Sequence, residues 1–542
     1  MRLLRRVVFW LFTAAYLALC PLTILYALGY LFRPGAEGGL VKTGLIYLST
    51  APPGASVYLG NQRYTQRTPT VLRDLVPGDY PVKLVLKDHQ PWMQTVPVEA
   101  ERATVLERVL LLPTTRSQRV LLLGPFEQLI PIPGSRFLLL TYGPTTADVI
   151  VYDTRDDVSW PLLPMESSVR GARILSHVEV DDSPCVLFRV ETREGEKFLW
   201  VELRPEANRA EDLTPFIPET PQHVAWDPLD RRGFFALHNG QLNRVDLSAK
   251  AIYPDIAGAV LGFGTFEKSL YVLHNDGLLE RMDVDGKHAE PLASETWVPR
   301  THLGIKGPVQ VVAMSEDNMM LWGARGELLT NRFPYQLAER GVQGMEVDPK
   351  REQALVWEKD ALGIVRFSQG LKDEALEGFP TLRWIFTPYH GEATPVPSAT
   401  ASGSLAEESR ATARVTTGRN EGVVPEGSPH VGTGSTRGTG FTRGNRIEQA
   451  FWAYEGSHIV FHDADHVLLL EVETYGKPHL YDLLQVKRKS FVMYSDEAGT
   501  LYFLDAATGA LASLEVLPKR EVILLPFPER REERMQRVPQ VP

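Results

Sequence analysis

Between residues 119 and 517 the chain keeps returning to one pattern: an alternating apolar strand, a Gly or Asn turn, and a second strand that often closes on Asp. One copy is Ala236-Leu237-His238-Asn239-Gly240-Gln241-Leu242-Asn243-Arg244-Val245-Asp246. Another is Val272-Leu273-His274-Asn275-Asp276-Gly277-Leu278-Leu279-Glu280-Arg281-Met282-Asp283. His238 and His274 are 36 residues apart, near the roughly 40-residue period of a four-stranded repeat. Weaker copies lie at 321–329, 361–366 and 494–505, and Val149-Ile150-Val151-Tyr152-Asp153 ends the same way. Each copy reads as a hairpin. A sheet built from such hairpins cannot bury both of its faces alone, so several must stack around an axis. The pattern therefore predicts a β-propeller of seven or eight blades over 115–527. Residues 521–525 are apolar enough to pair with 119–123, which would close the ring and remove an exposed sheet edge. A second all-β sandwich is the alternative arrangement of the same strands.

A chain of 542 residues holds more than one domain, and 44% hydrophobic with 23% charged residues is the balance of a globular protein with a core. The formal net charge of −10 argues against nucleic acid as a partner, because phosphate neutralisation needs clustered cations. The two cysteines, Cys20 and Cys185, are too differently placed to be a disulfide pair.

Residues 7–32 carry no charge, with Arg2, Arg5 and Arg6 before them and Arg33 after. Such a length of helix reaches about 39 Å, more than the roughly 30 Å of a hydrocarbon core. Trp10 and Tyr30 lie near its ends, and the arginine bias places residues 1–6 in the cytoplasm. The expectation is a transmembrane signal anchor at 7–32, a linker at 33–43, and a single-pass protein of the cell membrane whose bulk is extracytoplasmic. A cleaved signal peptide has a shorter apolar core. Leu17-Ala18-Leu19-Cys20 departs from a lipoprotein signal at Leu19, and the apolar run continues past it.

Residues 44–114 read as short strands at 46–48, 56–59, 82–86 and 105–111, with turns at Gly60-Asn61 and Pro77-Gly78. Strands of this number and length make a small antiparallel sandwich. Pro52-Pro53-Gly54-Ala55-Ser56-Val57-Tyr58-Leu59, then Thr68-Pro69-Thr70, then Leu75-Val76-Pro77-Gly78-Asp79-Tyr80-Pro81-Val82 together resemble the PEGA domain, with Pro53 where that family's name has Glu. Trp92 matches an aromatic often found after its Pro-Gly hairpin. The resemblance implies a small extracytoplasmic β-domain of bacterial envelope proteins, without catalysis. Close to the end of the apolar run, it would stand as a short stalk under the propeller. The repeat region is similar in general form to WD40-like and quinoprotein-like propellers, and Leu504-Asp505-Ala506-Ala507-Thr508-Gly509 is similar to the latter. Residues 390–445 are rich in Gly, Ser, Thr and Ala and poor in large apolar side chains. They are expected to be a disordered insertion between blades, and 528–542 a solvated charged tail.

The metal-like candidates are His458, His462, Asp463, Asp465 and His466. The flanking runs read as strands, so Asp463-Ala464-Asp465 becomes a hairpin tip and a polar turn is the expected reading. Asp283-Val284-Asp285-Gly286 resembles the start of a Ca²⁺ loop but lacks its later acids, so a turn is expected. His238 and His274 read as one repeat position. Cys185 looks inert. No nucleophile elbow, Walker loop or dinucleotide fingerprint is present. No catalytic residue and no cofactor is expected. The reading is a membrane-anchored envelope protein, held in the lipid bilayer by its N-terminal helix, whose propeller binds a protein or a cell-wall glycan. The alternatives are an enzyme with its site in the central channel and an assembly factor for a surface complex.

Overall fold

The computed structural model describes residues 2–27, 30–32, 39–132, 135–178, 184–205, 207–217, 220–292, 309–332, 335–367, 380–386, 446–454, 456–472, 478–495 and 497–516. The expected insertion at 390–445, the closing segment 521–525 and the tail 528–542 lie outside them.

Helix α1 is Arg2–Ala27, and β1 (Tyr30–Phe32) pairs antiparallel with β2 (Leu40–Lys42) directly after it. The apolar stretch expected to cross a bilayer at 7–32 is therefore divided: its helix ends at Ala27 and its last residues are strand. Among the described residues no helix is long and apolar enough to cross a membrane. The apolar side chains of α1 are nevertheless open, with Phe9, Trp10, Leu11, Phe12, Tyr16 and Leu17 all exposed.

The small domain is a sandwich of β3 (Gly44–Ala51), β4 (Ser56–Leu59), β5 (Gln62–Arg67), β6 (Thr70–Leu75), β7 (Gly78–Val85), β8 (Trp92–Val98) and β9 (Ala103–Leu110). One sheet runs β6-β3-β9 and the other β5-β4-β7-β8. Alternation drives both: Ile46 and Leu48 of β3, Val82 and Leu84 of β7 and Val96 of β8 turn inward into one core. The expected antiparallel order fails at one pair, since β3 and β9 run parallel. The chain leaves β8 in one sheet and crosses to the other through the turn at 99–102, where Leu45 N–H bonds Arg102 O and Glu101 N–H bonds Thr43 O. It thus enters β9 in the direction of β3.

Beyond residue 128 the strands form consecutive four-stranded antiparallel meanders at 128–161, 173–212, 223–257, 260–291, 309–338, 344–386 and 447–485. We call these blades 1 to 7. Among the described residues a further four-stranded sheet, the closing blade, unites Met493–Ser495, Thr500–Leu504 and Leu511–Glu515 with β10 (Gln118–Leu122). The ring closes as expected in kind but through a different partner: β10 pairs with Leu511–Glu515, in the register Gln118↔Leu514 and Arg119↔Ser513. The first strand of each blade lies nearest the axis. In blades 4 and 5 these strands come so close that they pair in parallel, Gly262 opposite Val309. A Cβ on Gly262 would overlap the Val309 carbonyl, so glycine is required there. Second strands such as Phe137–Thr141, His458–Asp463 and Thr500–Leu504 are buried throughout, because a sheet covers each of their faces.

The Asp that closes so many copies has a local task. Asp153 Oδ1 accepts from the N–H groups of Arg155 and Asp156, Asp246 Oδ1 from Ser248 and Ala249, and Asp505 Oδ1 from Ala507 and Thr508. Each carboxylate caps the turn that follows its strand. The resemblance seen at 504–509 is this same turn.

The sandwich is joined to the ring rather than standing apart as a stalk. Ala51, Leu110 and Leu112 share one core with Phe451 and Val460 of blade 7 and Leu501 and Phe503 of the closing blade.

Candidate binding site at the mouth of the ring

A cavity of about 580 Å³ opens where the first strands of several blades begin. Gln222 and His223 come from blade 3, Val309 and Gln310 from blade 5, Gln343 from blade 6 and Arg446 from blade 7. The second strand of blade 5 supplies Trp322, and the turn after it Arg325. Chain segments far apart in sequence meet here because every blade starts beside the axis.

The rim is held by backbone. Val342 N–H bonds Gly326 O at 3.2 Å, Gly341 N–H bonds Arg325 O at 3.2 Å, and the Trp322 indole N–H bonds Val342 O at 3.2 Å. Gly326 has φ +81°, and a Cβ there would lie 2.5 Å from both the N and the O of Val342. Only glycine lets blade 5 approach blade 6 this closely. Glu327, nearly buried, fixes Arg325 with a 2.7 Å bond to Nε and a second bond, 2.9 Å, to its backbone N–H.

Arg325 is thereby neutralised by its own neighbour. Arg446 is not: its Nε donates to the Gln343 amide oxygen at 3.2 Å, and it has no ion pair among the described residues. The His223 ring lies 4.8 Å from that of Phe263, and burial lowers its pKa to about 4, so it is a neutral imidazole at pH 7. No carboxylate lines the cavity among the described residues. The arrangement offers amide groups, a tryptophan and one guanidinium outside any ion pair among the described residues, the equipment for holding a polar or anionic chain.

The sequence candidates lie elsewhere, on one hairpin of blade 7, where Asp463 and His466 are register partners. His458, His462 and Asp463 are buried within the second strand of blade 7, while Asp465 and His466 flank the turn after it. His466 Nδ1 bonds Asp482 at 3.0 Å and Asp465 pairs with Arg488 at 3.2 Å. His462 lies 3.8 Å from Glu448, too long for a hydrogen bond. Burial lowers the pKa of both His458 and His462 to about 4. Among the described residues no group of three or more His, Cys, Asp or Glu side chains is placed to hold a metal ion. Asp283 bonds His288 at 2.7 Å and Asp285 bonds Lys287 at 2.6 Å, so that loop is a turn with paired side chains. His238 and His274 do end equivalent second strands, and His274 bridges Gly258 O and Glu280. Cys185 is a buried strand residue of blade 2.

His458 instead stands beside a seam that the sequence did not announce. Its register partner Glu471 accepts from the Trp92 indole at 3.2 Å and from His479 at 2.8 Å, and the other nitrogen of His479 meets Met93 O at 3.0 Å. Arg116 adds bonds to the carbonyls of Asp482 and Leu483, at 2.7 and 3.0 Å. In the sequence Trp92 is an aromatic after a hairpin, with no sign of this contact. The mouth residues had a faint signal: the blade 5 copy turns on Ala324-Arg325-Gly326, where others carry Asn-Gly or Asp-Gly.

Several solved structures are similar over much of the chain. The β-propeller domain of Cps50 (Swd1) from Myceliophteria thermophila is 9% identical, with a TM-score of 0.36, covering 74% of this chain and 100% of that one. The computationally designed Ika8 protein is 10% identical, with a TM-score of 0.39, over 74% and 100%. Hsv2 of Kluyveromyces lactis is 9% identical, with a TM-score of 0.34, over 68% and 98%. At such scores the propeller reading rests on the sheets themselves. No curated protein matches the sequence. Residues 43–111 match the model of the PEGA domain, as the motifs around Gly54, Pro69 and Pro77 led us to expect.

Proposed function

We propose that this chain is a protein-interaction module: an eight-bladed propeller whose mouth cavity receives a polypeptide segment, fixed to a PEGA domain and attached by α1 to a membrane surface. The observation that carries the binding reading is the cavity of about 580 Å³, walled by Trp322, Gln343 and Arg446 and left unfilled by the chain's described side chains. A propeller core is otherwise packed, so an open polar mouth on a rigid rim is a ready place for a ligand. Membrane attachment is supported by the open apolar side chains of α1, which no described residue covers.

A photo-crosslinking side chain at Ala324, on the cavity rim, tests the binding reading against one at Tyr253, on an outer strand of blade 3. Discrete protein adducts from Ala324 alone are expected. Equal adducts from both positions, or none from Ala324, would remove the mouth as the binding site. Attachment is tested separately by carbonate washing of cell membranes. Full release of the intact chain would end that part of the reading.

A further inference from the structure

The side chains at the mouth are particular about charge. Arg325 is offset by Glu327, and the buried His223 ring is neutral at pH 7. That leaves Arg446, whose Nε donates to the Gln343 amide and whose other N–H groups have no partner among the described residues. Glu448, two residues on, sits at a bulge with its carboxylate 3.8 Å from the His462 ring, and it does not line the cavity. Two and four blades away from Arg446, Gln310 and Gln222 bring primary amides to the wall, with no side-chain hydrogen bond among the described residues. Their backbones are fixed: Gln222 N–H bonds Leu237 O at 2.8 Å, and Gln310 is the register partner of Trp322. Register partners share one face of a sheet about 5 Å apart, so the Gln310 amide stands beside the indole. The indole N–H already donates to Val342 O, which leaves the ring its apolar surface.

These groups narrow the ligand. A small anion would satisfy Arg446 and leave the amides of the other blades unused. A phosphate, with close to two negative charges, calls for more than one free cation. A guanidinium fork matches one carboxylate. A primary amide carries a donor and an acceptor, the pair that an extended backbone presents at each residue. Chain-end carboxylates are captured by free backbone N–H groups, but the Gly341 and Val342 N–H groups of the rim are already bonded to the carbonyls of Arg325 and Gly326. We propose that the mouth takes an extended polypeptide segment with one Asp or Glu side chain, its carboxylate on Arg446 and its backbone on Gln310 and Gln222. The net charge of −10 repels a polyanionic segment, so that acid stands among uncharged neighbours. This rests on the mouth as a polypeptide site and adds the chemistry of the segment and the residues that read it.

The test is a selection of random linear peptides, displayed without a free carboxyl terminus, on the full chain held in detergent micelles. The photo-crosslinker at Ala324 reports which selected peptides occupy the mouth. Those peptides should share one Asp or Glu. Replacing it with Asn or Gln should raise Kd roughly 10- to 100-fold, the worth of a hydrogen-bonded contact to a charged group, and this comparison needs no variant of the protein. Arg446→Glu should lose the selected peptides and bind their Glu→Lys counterparts instead, while Arg446→Lys should keep an intermediate affinity. Gln222→Ala/Gln310→Ala should weaken acidic and neutralised peptides by the same factor. Peptides that crosslink at Ala324 without a shared acid, or that bind Arg446→Glu unchanged, would overturn the proposal and leave the mouth a polypeptide site. An Ala324 adduct within the chain itself would also overturn it, by giving the mouth an occupant from the same protein. Capture of no peptide at Ala324 would sink the mouth as a polypeptide site, and the proposal with it.

Discussion

At the seam between sandwich and ring, the Glu471 side chain is 7% exposed and receives hydrogen bonds from Trp92 and His479. At the mouth, the Arg446 guanidinium faces an open cavity and meets the Gln343 amide. Both places gather polar side chains from distant parts of the chain. At the seam a buried carboxylate finds its donors within the protein, and an apolar core seals it. At the mouth a charged donor keeps capacity for something else. A satisfied buried network specifies one arrangement of two domains, whereas an under-used charge beside a cavity is a place for a ligand.

The largest test of this contrast removes the centre of the seam. Glu471→Ala strands the Trp92 indole and His479, so stability should fall by about 3–4 kcal/mol. Urea unfolding would measure it. A loss under about 1 kcal/mol would mean that the seam holds no more firmly than a surface pair. Acid should act next. His458 and His462 titrate near 4 in the fold against about 6.5 unfolded. Between those values the unfolded chain binds more protons, so the stability from burying neutral imidazoles is present above pH 6.5 and is lost as pH falls toward 4. His458→Gln/His462→Gln should flatten that part of the stability curve, and an unaltered slope would contradict the assignment.

At the mouth the effects on stability are smaller. Gly326→Ala places a Cβ against Val342 at φ +81° and should cost about 2 kcal/mol, read as a lowered Tm. Arg446→Glu should change stability by no more than about 0.5 kcal/mol while abolishing the Ala324 crosslinks. A stability loss there as large as at Glu471 would erase the distinction between the two regions.

The repeat was legible because hairpins are local. The alternation, the Gly turn and the capping Asp of Asp246 or Asp505 all lie within a dozen residues of one another. The sandwich was legible for the same reason around Gly54 and Pro77. The end of α1 was misplaced because apolar residues at 30–32 serve a strand as well as a helix, and composition does not separate the two. The hairpin at His458–His466 was legible as two strands and a polar turn, and alternation along the first of those strands sends His462 and Asp463 to opposite faces.

What the sequence alone determined, then, is the set of hairpins, their period and the small β-domain ahead of them, since each depends on backbone preferences and alternation a few residues long. The tertiary structure decided which strand closes the ring, that Trp92 reaches Glu471 across 379 residues, and that Arg446 and Trp322 share one cavity. Those are meetings between segments that each look ordinary on their own, and chain packing around a common axis is what brings them together.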